Sequence, residues 1–419
     1  MEKIKKTKKT KDTTNTHGGS TRETPSPAAL ITYMGNKRKL LPHIQQIIQH
    51  VYDDISQGSI SFADPFSGSG AVSQLAFNSN LTSHIISNDI ALYSHISNLA
   101  FLSSPSEKMI QQINSFIDTA NNLPPPLPVE EFVAKHWAPK NDHNILPGER
   151  CYFTRENALI IDSIRNFIAS NSVPEKYKPY LLAHLLIKAS IHNNTNGQFA
   201  AFYKDENGTG AFGGKKEVDL KRITQKIVLP HYQYISNTLK TPKNVTLTNK
   251  DALQWTKDLA QIHIEGECGG LPPPIDLVYL DPPYNKHPYN IYYFLLDIIA
   301  KWDKNIDIPN TYRGQPKNWT RSPFNSSIDA HSAIQFMIEN IPAKYIALSY
   351  YDHGILSISQ IDTLLEKYGQ VQKFPINYAI YNRLHGIGNY SRSEAPNTSA
   401  KEYLWLLKKT QLSLSSTNI

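Results

Sequence analysis

Residues 275–280, Ile-Asp-Leu-Val-Tyr-Leu, form a short and mostly apolar run that ends on Asp281-Pro282-Pro283-Tyr284. Its length and composition are those of a buried parallel strand. The strand cannot continue past Asp281, because two consecutive prolines have no backbone N–H to give to a sheet ladder. The chain therefore leaves the sheet at a strand's carboxyl end, the edge where open α/β sheets expose their working groups. The proline pair also fixes φ and leaves its carbonyls free, so the turn is stiff. A rigid carboxylate, a free carbonyl and an aromatic face suit a flat ring with an exocyclic amine, which makes this turn a candidate nucleobase pocket.

The rest of the chain supplies the sheet. Strands are expected at 59–66, 84–88, 245–248, 345–351 and 402–407, with helices at 70–78, 92–103, 291–302 and 358–368. Alternation of this kind predicts a mostly parallel sheet with helices on both faces. Residues 105–240 interrupt it with a proline cluster at 123–128, helical stretches at 157–170 and 177–192, and a Gly/Asn/Lys-rich segment at 193–216. The expected layout is an α/β domain over 28–104 and 241–412, with a largely helical second domain inserted at 105–240. Residues 303–330, rich in Asn, Pro, Ser and Arg, match no pattern.

Composition narrows the class. The 419 residues are 40% hydrophobic, and no run approaches the ~20 apolar residues that cross a bilayer. No apolar stretch follows the N-terminus, so no signal peptide is expected. Two cysteines, Cys151 and Cys268, exclude a disulfide framework and a cysteine-rich zinc site, which suits a reducing compartment. The histidines show no metal-ligand spacing, so no metal is expected. Of the net charge of +7, residues 1–12 carry +4, leaving +3 for the rest. Residues 1–27 read as a basic disordered tail, able to add phosphate attraction but no specificity.

Three further segments carry chemistry. Asp64-Pro65-Phe66-Ser67-Gly68-Ser69-Gly70 ends the first strand, and its glycines allow a sharp turn and close approach of a ligand to the next helix. The same glycines suit an ordinary strand–helix turn. Asn88-Asp89 ends the second strand, about 20 residues beyond the loop, where an acidic side chain can accept from ribose hydroxyls. Asp89 could equally cap the next helix. Upstream lies Tyr33-Met34-Gly35-Asn36-Lys37-Arg38-Lys39, and downstream Asn249-Lys250-Asp251.

In their order, these segments resemble the alpha-class (Dam-like) DNA adenine-N6 methyltransferases of restriction-modification systems, whose hallmark is Asp-Pro-Pro-Tyr. Later segments, Tyr289-Asn290-Ile291-Tyr292-Tyr293, Ala347-Leu348-Ser349-Tyr350-Tyr351 and Glu402-Tyr403-Leu404-Trp405, extend the resemblance over most of 30–409. It implies a class I S-adenosylmethionine-dependent (Rossmann-like) methyltransferase fold with an inserted target-recognition domain. It implies S-adenosyl-L-methionine as cofactor, in contact with Tyr33, Asn36, Lys37, Asp64, Phe66, Gly68, Ser69, Gly70, Asn88, Asp89, Asp251 and Asp281. It places Asp281, Pro282, Pro283 and Tyr284 in catalysis on a flipped-out adenine of double-stranded DNA.

On this resemblance, the Asp281 carboxylate and Pro282 carbonyl would accept from the target amine, and Tyr284 would stack on its ring. Candidate DNA contacts are Asn193, Asn194, Lys204, Lys215, Lys216, Arg383 and Arg392, on the ground that Asn can bond adenine and Lys or Arg guanine or phosphate. The polar segment could equally be a surface loop. The family implies a monomer, a restriction endonuclease as functional partner, no membrane, and the cytoplasm of a bacterium or a phage origin. The competing readings are a cytosine-N4 methyltransferase, disfavoured by Asp281, a catalytically silent DNA-binding module and an RNA methyltransferase.

Overall fold

The computed structural model describes residues 31, 37–55, 58–233, 243–265, 274–286, 288–317, 321–377 and 401–410. The basic tail, Tyr33, Asn36, Arg383 and Arg392 lie outside the described residues.

Among the described residues the elements begin with a 3-10 turn, Lys37–Lys39, and α1 (Leu41–Ile55). There follow β1 (Ile60–Asp64), α2 (Ala71–Asn78), β2 (Thr82–Asn88) and α3 (Leu92–Phe101). The interrupting block holds α4 (Glu107–Asn121), α5 (Val133–Trp137), α6 (Arg155–Ala169), α7 (Lys178–Ile191) and α8 (Leu220–Thr224). The sheet resumes with β3 (Asn244–Thr248), α9 (Ala252–Glu265), β4 (Ile275–Leu280) and α10 (Tyr289–Lys301). Last come α11 (Ala330–Asn340), β5 (Ala343–Tyr351), α12 (Ile358–Glu366), β6 (Gly369–Asn377) and β7 (Lys401–Lys409).

One seven-stranded sheet runs in the order β3-β2-β1-β4-β5-β7-β6. The pairs from β3 through β5 are parallel, and β7 alone runs antiparallel to both its neighbours. This mostly parallel α/β sheet is the class I methyltransferase arrangement that the resemblance implied. Alternation along the strands divides the core, since successive side chains point to opposite faces. Phe62, Leu277 and Tyr345 pack under α1 and α2, while Ala63, Val278 and Ile346 pack under α9, α11 and α12. Helix α1 is amphipathic for this purpose, burying Ile44, Ile47, Ile48 and Val51 at helical spacing.

The interrupting block is not a separate globule. Its Trp137, Tyr152, Ile161 and Leu185 share one apolar core with Tyr93 of α3 and Leu296 of α10. Polar groups strengthen the junction. Buried Arg165 of α6 donates to Ile299 O at 2.7 Å and to Ala300 O at 3.4 Å, satisfying carbonyls at the end of α10. Arg150 reaches Pro309 O at 2.8 Å and Thr311 O at 2.9 Å, so the segment after α10 is tied to the block as well.

Several elements went unread in the sequence: α1, α4, α9, α11 and β6. Strand β6 is the clearest case. It is an edge strand with exposed Lys373 and Phe374 and with Pro375, so it carries little of the apolar signal that marks a buried strand.

Candidate active site

Strand β1 lies centrally, with β2 on one side and β4 on the other. Connections leave these strands in opposite directions across the sheet, which opens a crevice at their carboxyl ends. A cavity of about 640 Å³ occupies this crevice, lined by Asp64, Phe66, Gly68, Ser69, Asp89, Asp251 and Asp281, among others. Four aspartates from four strand ends thus face one space.

Asp64 is 1% exposed and ends β1. Its Oδ2 accepts from Ser73 Oγ at 2.7 Å, while its Oδ1 is buried with no hydrogen-bond partner among the described residues. Burial pushes its carboxyl up to about 7, against the Ser73 hydrogen bond. The Ser73 hydroxyl lies 3.0 Å from Ser87 Oγ, which accepts from Asn98 Nδ2 at 3.1 Å. Asn98 also donates to Ser67 Oγ at 2.7 Å, so one buried chain from α3 reaches both Asp64 and the glycine turn. The turn itself needs glycine: Gly68 has φ +52° and Gly70 φ +79°. A Cβ on Gly70 would lie 2.5 Å from Asn98 Oδ1.

Asp89 fastens that turn to β2. Its Oδ2 accepts from Gly68 N at 2.7 Å and its Oδ1 from Ala91 N at 2.8 Å. Burial pushes it up to about 6, opposed by those two backbone donors. The same carboxylate lines the cavity but does not cap α3, whose N-cap residue is Ala91 and has no side-chain cap. Asp251 does cap α9, accepting from Leu253 N at 2.9 Å, and also borders the cavity.

Asn88 departs from its expected role. It is 1% exposed and does not line the cavity. It donates to Pro65 O at 3.1 Å and Lys250 O at 3.0 Å, and accepts from Thr248 Oγ1 at 2.7 Å and Lys250 N at 3.0 Å. All its hydrogen-bonding capacity ties the ends of β1, β2 and β3 together, leaving none for a ligand.

Asp281 is held from one side. Lys37 Nζ lies 3.0 Å from Oδ1, and Ser349 Oγ donates to the same oxygen at 2.9 Å. Among the described residues Oδ2 has no hydrogen-bond or ion-pair partner. Burial raises this carboxyl to about 6; Lys37 opposes the rise and Glu402 adds to it. Lys37 is itself only 5% exposed and is also ion-paired with Glu402. Burial alone would lower its pKa, but Asp281, Tyr284 and Glu402 hold the ammonium well above its ordinary range. The Tyr284 ring lies beside this group, with Lys37 Nζ 5.2 Å from its centroid and the Tyr350 ring edge-on at 5.9 Å. Pro283 lines the cavity, whereas Pro282 and Tyr284 are outside its wall.

Two of the expected DNA contacts are overturned. Asn193 is 1% and Asn194 0% exposed. Asn193 donates to Ala189 O and Ser190 O. Asn194 donates to Cys151 O and Ala211 O and accepts from Gly213 N. They staple the loop from within, because buried amides must find partners. Lys215 and Lys216 are exposed, and Lys215 pairs with Glu206 at 3.0 Å. Lys204 lies over the Tyr312 ring at 3.9 Å. Reading the sequence missed Glu402 as a partner of Lys37, and the Asn98 chain beneath Asp64. Glu402 stands in a segment that the resemblance includes without giving it a role, and Asn98 stands in no such segment.

Comparison with known proteins relates the chain to DNA methyltransferases. A family model described as D12 class N6 adenine-specific DNA methyltransferase matches residues 33–236. The chain is 26% identical over 384 residues to type II methyltransferase M.NlaIII of Neisseria lactamica, covering 91% of this chain and 100% of that protein. It is 27% identical over 363 residues to type II methyltransferase M.CviAII of Paramecium bursaria Chlorella virus 1, covering 86% and 95%. A third relative, type II methyltransferase M.FokI of Planomicrobium okeanokoites, is 26% identical over 391 residues, which span 90% of this chain and 52% of that protein. The chain thus matches the D12 class of N6 adenine-specific DNA methyltransferases over 33–236 and type II methyltransferases over most of its length. Its reaction is methyl transfer to the exocyclic nitrogen of adenine in DNA, and methyltransferases of this family use S-adenosyl-L-methionine. Among the described residues no helix is long and apolar enough to cross a membrane, and no group of His, Cys, Asp and Glu could hold a metal ion.

Proposed function

We propose that the strand-end cavity binds S-adenosyl-L-methionine and that Asp281 receives the amine of a flipped adenine beside it. The residues present fit the cofactor. The unpartnered, buried Asp64 Oδ1 suits an ammonium group, and the glycine turn leaves room for a chain to pass. Asp89 keeps lone pairs for ribose hydroxyls, and Asp251 lies near the third strand end for the adenine end. When bound, the cofactor supplies an electrophilic methyl carbon on sulfur. Asp281 would orient the amine toward that carbon, and the proton that the amine loses on methylation would pass to water.

The protein's part is orientation and charge. The exocyclic nitrogen is a poor nucleophile because its lone pair is delocalised into the ring. Hydrogen bonds from the amine to Asp281 and to the Pro282 carbonyl would favour a tetrahedral nitrogen and stabilise the positive charge that develops there. The observation that carries this reading is the division of labour within Asp281. One oxygen is engaged by Lys37 and Ser349, and the other is left for a donor. Tyr284 would stack on the extruded ring, worth ~1–3 kcal/mol.

We read residues 105–240 as the target-recognition part, with Lys204, Lys215 and Lys216 as its surviving candidates for phosphate contact. The type II relatives support a modification role, and we propose further that a restriction endonuclease is the functional partner and that the protein acts as a monomer. Incubating the purified protein with methyl-labelled cofactor and DNA, then sequencing for N6-methyladenine, tests the activity and its site together. Label on cytosine, or none on DNA, would reject it. Light scattering tests the monomer.

A further inference from the structure

We propose that Glu402 and Ser349 are positioning residues for methyl transfer: they hold one oxygen of Asp281, Ser349 directly and Glu402 through Lys37, and so turn the other oxygen to the target amine. This rests on the reading of Asp281 as the group that receives the amine.

Two independent chains converge on Asp281 Oδ1. In the first, the Tyr279 hydroxyl donates to Ser349 Oγ at 2.9 Å, and Ser349 donates onward to Asp281 at 2.9 Å. A serine hydroxyl has a single proton. Because Ser349 accepts from Tyr279, that proton is committed to Asp281. Tyr279 and Ser349 are both fully buried, so neither is turned aside by water. In the second chain, one ammonium serves two carboxylates. Lys37 bridges Asp281 and Glu402, whose side chains are 18% and 12% exposed.

The sharing matters chemically. Glu402 draws part of the lysine's charge away from Asp281, which therefore stays a strong acceptor. If Lys37 had Asp281 as its only acidic partner, the pair would tighten and the carboxylate would be a weaker partner for the amine. The topology explains how Glu402 arrives here. Strand β7 runs antiparallel to β5, with Glu402 opposite Tyr351 and Leu404 opposite Ser349. The first residues of β7 thus reach the edge where the parallel strands end. The charged and titratable groups around Asp281 are Lys37, Glu402, Asp64 of β1, Tyr279 of β4, Tyr284 and Tyr289 of α10.

The test compares wild type with Glu402→Gln, Glu402→Asp and Ser349→Ala, measuring kcat and the cofactor KM from about pH 5 to about pH 8. A second readout does not depend on turnover: carbon-13 NMR of aspartate-labelled protein, with the Asp281 carboxyl identified by its loss in Asp281→Asn. Glu402→Gln is expected to lower kcat roughly 10- to 100-fold with KM within about twofold. The acid limb of its kcat profile and the Asp281 titration should both move to lower pH, and Glu402→Asp should recover part of each. Ser349→Ala should lower kcat about tenfold at unchanged KM. Wild-type kcat and an unmoved Asp281 titration in Glu402→Gln would overturn the proposal. So would a loss shared by kcat and cofactor binding with that titration unmoved. If Glu402→Gln does not fold, wild-type kcat in Ser349→Ala decides against it. A wild-type protein that transfers no methyl would strike the functional reading instead, and the Asp281 titration would still test the action of Glu402.

Discussion

The strand-end cavity and the 193–213 loop of the inserted block are both rich in Asp and Asn, yet they use them in opposite ways. In the loop, Asn194 makes hydrogen bonds with Cys151, Ala211 and Gly213, and Asn193 with Ala189, Ser190 and Thr195. At the cavity, Asp64 and Asp281 each have one oxygen engaged and the other without a partner among the described residues. A polar group satisfied from within the chain stabilises the fold. A polar group held on one side and left open on the other is poised for a ligand. Asn88 lies at the cavity's edge in sequence but belongs with the first kind.

The largest effect should come from the open carboxylate of the reacting centre. Asp281→Ala is expected to lower kcat by more than about 10³-fold, because it removes the group that orients the amine and opposes its charge. Near-wild-type turnover in a methyl-transfer assay would erase the contrast. In wild type, kcat should also fall as pH drops through about 6, where Asp281 becomes protonated.

Next in size is a closed site. Asn194→Ala leaves buried backbone groups unpaired and should cost ~2–4 kcal/mol of stability in urea unfolding. DNA affinity of the folded fraction should be unchanged. A stable variant with weakened DNA binding would place Asn194 back among the reading residues.

Asp64→Asn sharpens the comparison by separating function from stability. The folded protein holds the Asp64 proton more tightly than the unfolded chain, with its carboxyl at about 7 against an ordinary 3.8. Stability attributable to this group is therefore present at low pH and is lost as pH rises between those values. At pH ~8 the variant should melt a few degrees above wild type, while cofactor affinity by calorimetry falls by roughly tenfold. A lower melting temperature with intact affinity would refute both halves.

The smallest effect belongs to the surface. Replacing Lys215 and Lys216 with Ala should leave stability within ~0.5 kcal/mol. It should weaken DNA binding a few-fold and reduce the salt slope of log K by ~1–2. An unchanged slope would remove both lysines from the DNA interface.

Most of the sheet was legible because its strands are short apolar runs that end in turns with strong local chemistry. The 275–280 run coincides with β4, and the glycine turn and Asp281 stand at the strand ends where they were expected. The polar loop was misread because side-chain type does not reveal burial. Asn193 and Asn194 have the composition of a reading surface and the environment of a core. Edge strand β6 was unread for the converse reason, since exposure removes the apolar pattern.

Sequence alone determined the order of the turns, the place of Asp281 after a strand that two prolines terminate, and the family. These depend on neighbours within a few residues, where φ restriction and hydrogen-bond supply act directly. Only the tertiary structure decided that Lys37 and Glu402, 365 positions apart, meet at one carboxylate. The antiparallel entry of β7 brings them together, and pairing across such a distance leaves no local trace in the chain.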